Sequence, residues 1–409
     1  MPSVLLSCGE ASGDLYAGAL TRELRALVPG ISVRGLGGWR FKDAGGECLE
    51  DYGGLAVTGF TEIVSKLPRF RRTMARLVGS AREQRPDVLV VIDFFGFNAR
   101  LARQVKRLGV PVIYYVSPQI WAWRPGRIKT IKELVDRVLV IFPFEEAIYR
   151  DAGVPVEFVG HPLVDLAPAS GLGLGKRFLN SLHLSPDLPT VAILPGSRPS
   201  EVRRILPDLL AAAARIGERV PSVQFVIARA SNLGDELFDV VQRQGLLTPP
   251  PGQLTASTAV IEGATDDVLA SADVALTASG TATVQAALHN TPMVVVYRVS
   301  PLEYRLGKRF VNVDTYAMVN LIAGERIVPE LIQDAFTPAA VADEAVSLLT
   351  DSGRAARMRD GLGRVRAALG GPGASRRAAQ SILQVIARVR PVSDPGSGSD
   401  TTPTPTLSS

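Results

Sequence analysis

The stretch SVLLSCGEASGD, Ser3–Asp14, combines an apolar run with a turn of small residues. A buried strand is predicted at residues 3–7, because the run is short, apolar and bounded by a turn. The amphipathic segment at residues 15–28 then predicts a helix. A strand, a small-residue turn and a helix in this order indicate one unit of a parallel α/β sheet.

The same alternation of Val-, Ile- and Leu-rich runs with helix-length segments continues along the chain and is typical of parallel sheets covered on both faces. Further strands are predicted near residues 32–36, 87–92, 111–116, 137–142, 155–159, 190–194, 223–228, 257–261, 273–277 and 292–297. Further helices are predicted near residues 98–108, 200–217, 232–245, 281–289, 338–350, 353–369 and 374–390. The sequence therefore predicts an α/β fold with two Rossmann-like, doubly wound domains in tandem.

The length of 409 residues suits two domains, each with its own core. The alternation pauses where Ala, Pro, Ser, Gly and Leu dominate, which suits an interdomain linker. One option for the C-terminal helix is to pack back on the first domain. The predicted divisions are a first domain at 1–166, a linker at 167–175, a second domain at 176–370, the C-terminal helix at 371–390 and a disordered tail at 391–409.

Composition narrows the class of protein. Cys8 and Cys48 are the two cysteines, so the sequence predicts neither a disulfide framework nor a cysteine zinc site and fits a reducing compartment. The chain has no apolar run near the ~18 residues that span a bilayer, so membrane contact is expected to be peripheral. The net charge of +5 suits anionic lipids or phosphates. Basic residues are not interleaved with aromatic ones, so nucleic acid is not an expected partner.

Ligands of doubly wound sheets bind outside the carboxyl ends of the strands, so the loops after predicted strands are candidate sites. Asp93 ends the apolar run at residues 88–92. A carboxylate at such a strand end faces a cleft as a base, or it caps the helix that begins near Asn98. In the first turn Glu10 and Ser12 are candidate ligand contacts, with helix capping by Ser12 or Asp14 as the alternative.

Two turns in the second half of the sequence are predicted to bind phosphate. LPGSR contains Gly196, Ser197 and Arg198, and SGTAT contains Ser279, Gly280 and Thr281. Small residues at the start of a helix bind phosphate through backbone amides and hydroxyls, and an arginine adds a fixed charge. Neither turn has the spacing of a P-loop or a dinucleotide fingerprint, which disfavours an NTPase and a dehydrogenase. The rare histidine His161 is interpreted as structural.

Nine motifs in order resemble lipid-A-disaccharide synthases and cover most of the chain. They are GEASGD, GLGG at 35–38, Asp93 with Asn98, VSPQIWAW from Val116, FPFE from Phe142, VGHPL from Val159, LPGSR, SGTAT and NLIAG from Asn320. The resemblance implies a GT-B fold with two domains facing a cleft, an inverting transfer without metal or other cofactor, and a homodimer with exchanged C-terminal elements. It also implies a UDP-linked diacylglucosamine donor, a diacylglucosamine 1-phosphate acceptor and a cytoplasmic position on the inner membrane.

The resemblance assigns roles to residues. It implies that Asp93 is the general base and that Arg198 is needed for activity. The implied substrate and UDP contacts are Glu10, Ser12, Asn98, Gly196, Ser197, Ser279, Gly280, Thr281, Gln285 and Asn320. Two positions depart from the family pattern: Gly96 stands where a second aspartate is common, and Gln285 where a glutamate is common.

The segment at residues 60–82 is the candidate membrane contact. Basic residues outnumber acidic ones five to none between Lys66 and Arg76, and Pro68 is expected to break the segment as a surface hairpin would. The alternative is an ordinary amphipathic helix whose apolar face packs on the sheet. The predicted membrane patch consists of Ile63, Val64, Leu67, Arg69, Phe70, Arg71 and Arg72.

Two other functions fit a similar fold. One is another UDP-GlcNAc enzyme, either a 2-epimerase or a MurG-like transferase, neither of which is expected to need VSPQIWAW. The other is a non-catalytic protein that binds lipid or nucleotide, which Asp93 and Arg198 disfavour.

Overall fold

A computed structural model describes residues 1–55, 60–118, 126–167, 174–243, 257–300 and 315–389. Within these ranges the strands form two parallel sheets. The first sheet has seven strands in the order β3-β2-β1-β4-β5-β6-β7. Its strands are β1 Ser3–Cys8, β2 Ser32–Gly37, β3 Glu47–Asp51, β4 Val88–Ile92, β5 Val112–Tyr115, β6 Arg137–Val140 and β7 Val156–Phe158.

The second sheet repeats this plan with six strands in the order β10-β9-β8-β11-β12-β13. Its strands are β8 Thr190–Leu194, β9 Gln224–Arg229, β10 Thr258–Glu262, β11 Val274–Ala278, β12 Met293–Tyr297 and β13 Glu330–Ile332. The central strands β8 and β11 are buried along their whole length. Two parallel-sheet α/β domains are therefore confirmed.

Helices connect the strands. They are α1 Ala11–Leu27, α2 Trp39–Asp43, α3 Phe60–Gln84, α4 Phe95–Lys106, α5 Arg127–Leu134, α6 Pro143–Asp151, α7 Leu163–Leu166, α8 Leu174–Ser181, α9 Pro199–Arg219, α10 Asp239–Arg243, α11 Thr265–Ser271, α12 Thr281–Leu288, α13 Met318–Ala323, α14 Pro338–Thr350, α15 Ser352–Ala368 and α16 Ala374–Val389. Within the same described ranges, short 3-10 turns lie at Tyr52–Gly54, Asp235–Leu237 and Gln333–Ala335. In the described part of the chain, none of these helices is long and apolar enough to cross a bilayer.

Each sheet has one point where the strand order reverses. In the first sheet β1 pairs with β2 on one side and with β4 on the other. In the second sheet β8 pairs in the same way with β9 and β11. The crevice outside the carboxyl ends of such strands is where doubly wound folds bind ligands. The turns after β1, β4, β8 and β11 are therefore the candidate site.

Two local expectations were wrong, and two strands were missed. Pro68 does not break its segment, because α3 is one continuous helix and the proline ring lies on its exposed side. The helix expected at 232–245 is replaced by a 3-10 turn and the short helix α10. The outer strands β3 and β13 were not predicted, since neither is an apolar run.

The C-terminal helix α16 packs against α1 of the first domain. Asp165 caps this helix by accepting hydrogen bonds from the amides of Gly373 at 2.5 Å and Ser375 at 2.9 Å. Ser381 donates a hydrogen bond to Glu157 at 2.6 Å. Residues 168–173 of the predicted linker at 167–175 lie outside the described residues. The predicted tail at 391–409 also lies outside them. The predicted domain limits stay predictions.

Candidate active site

The turn after β1 brings Glu10 to the edge of the first sheet. Gly9 is required there by packing, because a Cβ at this position would lie 2.3 Å from the ring of Phe94. Helix α1 begins at Ala11 with Glu10 as its N-cap residue, and no side chain caps it. Ser12 is partly exposed in the first turn of the helix, where N–H groups have no intrahelical partner.

Asp14 does not cap α1 and was not predicted as part of the site architecture. Its buried carboxylate accepts hydrogen bonds from the amides of Gly38 at 2.6 Å, Arg40 at 3.0 Å and Phe41 at 3.1 Å. Asp14 thereby holds the loop after β2 against the first turn of α1. A buried carboxylate needs such partners, since leaving it unpaired is costly.

The backbone around Asp93 is strained. Asp93 and Phe94 have φ values of +42° and +48°, and Val116, on the neighbouring strand end, has φ of +59°. Non-glycine residues rarely adopt this region, and such outliers cluster at functional sites. The Asp93 amide donates to the carbonyl of Val116 at 3.1 Å, and the hydroxyl of Tyr114 donates to the carbonyl of Asp93 at 2.6 Å. Asp93 is not the N-cap of α4, because that residue is Phe94.

The carboxyl group of Asp93 is a weaker acid than usual. Burial, and after it the nearby charge of Glu10, raises its pKa from 3.8 to about 6, while a hydrogen bond from the amide of Phe94 and the charges of Arg198 and Arg127 act in the opposite direction. Glu10 and Arg198 thus lie close enough to influence Asp93 electrostatically. Arg127, which also stacks on the ring of Phe95 at 4.6 Å, was missed because it belongs to none of the predicted motifs.

The predicted substrate contact by Asn98 is not what the structure shows. Asn98 is fully buried, and its amide nitrogen donates to the carbonyls of Asp93 at 2.8 Å and Ile92 at 3.1 Å. Its oxygen accepts from the hydroxyl of Ser7 at 2.7 Å. Asn98 therefore positions the backbone of Asp93.

The LPGSR turn lies at the end of β8 and opens α9. Gly196 has φ of +118°, and a Cβ there would lie 2.7 Å from the carboxylate of Glu201. Glu201 accepts hydrogen bonds from the amides of Ser197 and Arg198, both at 3.3 Å. These hydrogen bonds hold the turn in place, and the backbone that carries the side chain of Arg198 is therefore fixed.

The SGTAT turn lies at the end of β11 and opens α12. Gly280 is exposed with φ of +153° and has nothing near its Cβ position. Thr281 is the exposed first residue of α12, and Ser279 donates a hydrogen bond to the carbonyl of Tyr316 at 3.0 Å. One turn further, the amide of Gln285 donates to Asp266 at 3.3 Å. The start of α12 is thus open to an anion.

Asn320 also has a structural role instead of the predicted substrate contact. It is buried, and its amide nitrogen donates to Glu330 at 2.6 Å and to the carbonyl of Val328 at 3.0 Å. Its oxygen accepts from the amides of Ile327 at 2.8 Å and Val328 at 3.0 Å. These bonds tie α13 to the chain that leads into β13.

His161 is structural, as the sequence indicated. Burial lowers its pKa to about 3, so the ring is neutral. Its Nδ1 accepts a hydrogen bond from the amide of Leu163 at 3.1 Å, and its ring packs edge-on against Tyr16 with centroids 6.0 Å apart. The tryptophan-containing part of VSPQIWAW, residues 119–125, lies outside the described residues.

A salt bridge joins the two switch points across the cleft. The Nη2 atom of Arg198 lies 2.9 Å and 2.8 Å from the two carboxylate oxygens of Glu10, and its Nη1 atom lies 3.2 Å from Glu201. Burial lowers the pKa of Arg198, but the two carboxylates raise it more, so the guanidinium stays charged. Among the described residues, no group of three or more His, Cys, Asp or Glu could hold a metal ion.

Comparison with known proteins identifies the family. The sequence profile of lipid-A-disaccharide synthetase matches residues 4–385. A relative from Syntrophus aciditrophicus (strain SB), named lipid-A-disaccharide synthase, is 44% identical over 383 residues, which cover 94% of this chain and 97% of the relative. The chain belongs to the lipid-A-disaccharide synthase family. It is a glycosyltransferase of lipid A biosynthesis.

Solved structures agree on the fold. A UDP-GlcNAc 2-epimerase from Neisseria meningitidis, solved with UDP-GlcNAc, superposes with a TM-score of 0.65 at 12% identity and covers 93% of this chain and 100% of its own. The glycotransferase of kitacinnamycin superposes with a TM-score of 0.64 at 18% identity and covers 94% and 100%. At these identities the likeness concerns the fold, which is GT-B. Membership of the synthase family decides against an epimerase and against a non-catalytic binding protein.

Proposed function

We propose that this enzyme transfers 2,3-diacylglucosamine from UDP-2,3-diacylglucosamine to the 6-hydroxyl group of 2,3-diacylglucosamine 1-phosphate, forming a β(1→6) disaccharide and UDP. Family membership supports the substrates. The observation that carries the mechanism is the salt bridge between Glu10 and Arg198, which brings the cation at the second switch point to the turn after β1, where both charges act on the carboxyl group of Asp93.

Asp93 acts as the general base. The acceptor oxygen attacks the anomeric carbon of the donor, the bond from that carbon to the phosphate oxygen breaks, and UDP leaves with the electron pair. Asp93 takes the hydroxyl proton during the attack. A raised pKa of about 6 suits this role, because the group is ionised at neutral pH and is still a stronger base than an ordinary carboxylate.

The second domain stabilises the charge that develops on UDP. Arg198, the amides at Gly280 and Thr281, and the dipole of α12 can together meet a diphosphate. Gly196 and Ser197 form the turn that carries Arg198. Ser279 and Gln285 lie on either side of the start of α12. Glu10 and Ser12 approach from the first domain. This set needs no cation, which fits the proposed metal-free transfer.

Helix α3 supports a membrane-facing role for the first domain. Leu67 is 39% exposed, and Arg69, Arg71 and Arg72 are exposed. The side chains of Ile63 and Val64 lie outside the described residues. Cations near a bilayer contribute about 1 kcal/mol each toward anionic lipid. We infer peripheral binding to the cytoplasmic face of the inner membrane, where acylated substrates reside. The homodimer is inferred from family membership alone.

The reaction is tested by incubating the purified protein with both acylated sugars and detecting the product by mass spectrometry. The expected result is a disaccharide phosphate together with UDP. Unacylated UDP-GlcNAc serves as the control donor. Release of free sugar or epimerised donor, with no disaccharide, would show that the proposed reaction is wrong.

A further inference from the structure

Arg198 already holds an anion in this structure, and that anion is a side chain of the other domain. Both carboxylate oxygens of Glu10 lie within 2.9 Å of Nη2 of Arg198. An arginine that binds a carboxylate in this way uses the same N–H donors with which it binds a phosphate group. Glu10 therefore stands where a diphosphate oxygen would be expected.

We propose that Glu10 occupies the anion position of Arg198 until the donor arrives, and that UDP binding is an exchange in which the diphosphate displaces Glu10. The proposal rests on the proposed contact between Arg198 and UDP. Glu10 is in this account a positioning residue that closes the cleft in the absence of donor.

The two carboxylates bound to Arg198 differ in how easily they can leave. Glu201 is 16% exposed and also accepts the amides of Ser197 and Arg198, so its removal would disturb the turn. The side chains of Glu10 and Arg198 are 36% and 41% exposed. Water can replace each partner, and pairs of this exposure contribute little to stability. Glu10 is therefore the carboxylate that can be exchanged.

The exchange also changes the surroundings of Asp93. The charge of Glu10 raises the pKa of Asp93, whereas the charge of Arg198 lowers it. Once the diphosphate binds the guanidinium, its negative charge offsets the positive charge of Arg198, which is one of the charges that lower the pKa of Asp93. Asp93 then becomes a stronger proton acceptor after the donor has bound.

Calorimetric titration with UDP tests the exchange in four proteins: wild type, Glu10→Gln, Arg198→Ala and the double variant. Glu10→Gln should bind UDP about two- to fivefold more tightly, because the internal competitor is gone. Arg198→Ala should bind UDP more weakly, and adding Glu10→Gln to it should give no further gain, since nothing is left to compete for.

Three results would overturn the proposal. Weaker UDP binding by Glu10→Gln would mean that Glu10 contacts the nucleotide. Unchanged binding would mean that no exchange takes place. An equal gain with and without Arg198 would mean that Glu10 only repels the diphosphate at long range.

The matched control is Asp43→Asn, which removes one carboxylate of an exposed ion pair with Arg22 that has no contact with Arg198. Its UDP affinity should equal that of wild type, and a gain equal to that of Glu10→Gln would attribute the effect to net charge and overturn the proposal. Failure of the proposed reaction is seen separately, as absence of disaccharide from the wild-type enzyme.

Discussion

Phe70 of helix α3 stacks on Phe94, the residue that follows Asp93, with ring centroids 6.0 Å apart and planes 25° apart. Phe97 completes this aromatic cluster, with its centroid 5.6 Å from that of Phe94. The helix proposed to meet the membrane is therefore packed directly on the strained loop of Asp93. Phe70 belongs to this packing and is half-buried, which is evidence against its predicted role as a residue that inserts into lipid.

Phe70→Ser should disturb the Asp93 loop. Truncating a half-buried ring removes apolar contacts worth roughly 1–3 kcal/mol. We expect a lower melting temperature and a fall in kcat that Phe70→Tyr, which keeps the ring, restores.

Leu67→Ser is the comparison on the same helix, because Leu67 is exposed. It should leave the melting temperature unchanged. Equal stability of the Phe70→Ser and Leu67→Ser variants would contradict the packing argument.

Membrane attachment is predicted to depend on the exposed residues alone. Combining Leu67→Ser with Arg69→Gln, Arg71→Gln and Arg72→Gln should release the protein from anionic vesicles at physiological salt, since three cations contribute about 1 kcal/mol each. Co-sedimentation measures the bound fraction, with neutral vesicles as the control. A folded variant that pellets like wild type would rule out this patch.

The acidic limb of the pH–rate profile should report Asp93. Protonation removes the base, so kcat/KM should fall below about pH 6. Because Glu10 raises the pKa of Asp93, Glu10→Gln should move this limb to lower pH. A limb that does not move would show that the group titrating there is not beside Glu10.

Asp93 is also predicted to lower stability at neutral pH. A folded pKa of about 6 against 3.8 for an ordinary aspartate means that the folded state binds the proton more tightly than the unfolded state. The contribution of Asp93 to the free energy of unfolding is therefore most favourable below pH 4, and it is lost as pH rises through 6. Asp93→Asn should raise the free energy of unfolding at pH 8 by on the order of 1–2 kcal/mol after allowance for solvent screening, and the melting temperature should rise with it.

This difference in melting temperature should disappear at pH 4. The neutral, buried His161 also makes stability depend on pH, but it is common to both proteins and cancels in the comparison. A variant that is less stable than wild type at pH 8 would contradict the raised pKa.

Sequence patterns predicted the two sheets and the four turns at their switch points, because buried parallel strands are apolar runs, three of the turns are rich in small residues, and the fourth begins with the carboxylate of Asp93. The same patterns could not distinguish residues that contact a ligand from residues that only hold the site in place. Asn98 and Asn320 sit in the right motifs, yet all their bonds go to backbone atoms or to other side chains of the protein. That distinction depends on which long-range partner each amide meets. The salt bridge between Glu10 and Arg198, 188 residues apart, was hidden for the same reason.

The central claim is that Asp93 takes the proton from the acceptor hydroxyl, and Asp93→Asn tests it most directly. The change keeps the shape of the side chain and removes the base, so turnover to disaccharide should fall by roughly 10²–10⁴-fold. UDP affinity measured by calorimetry should stay within a few-fold of wild type, because the diphosphate contacts that we propose, Arg198 and the start of α12, lie on the second domain. Turnover within a few-fold of wild type, in a protein that still binds UDP, would contradict the account.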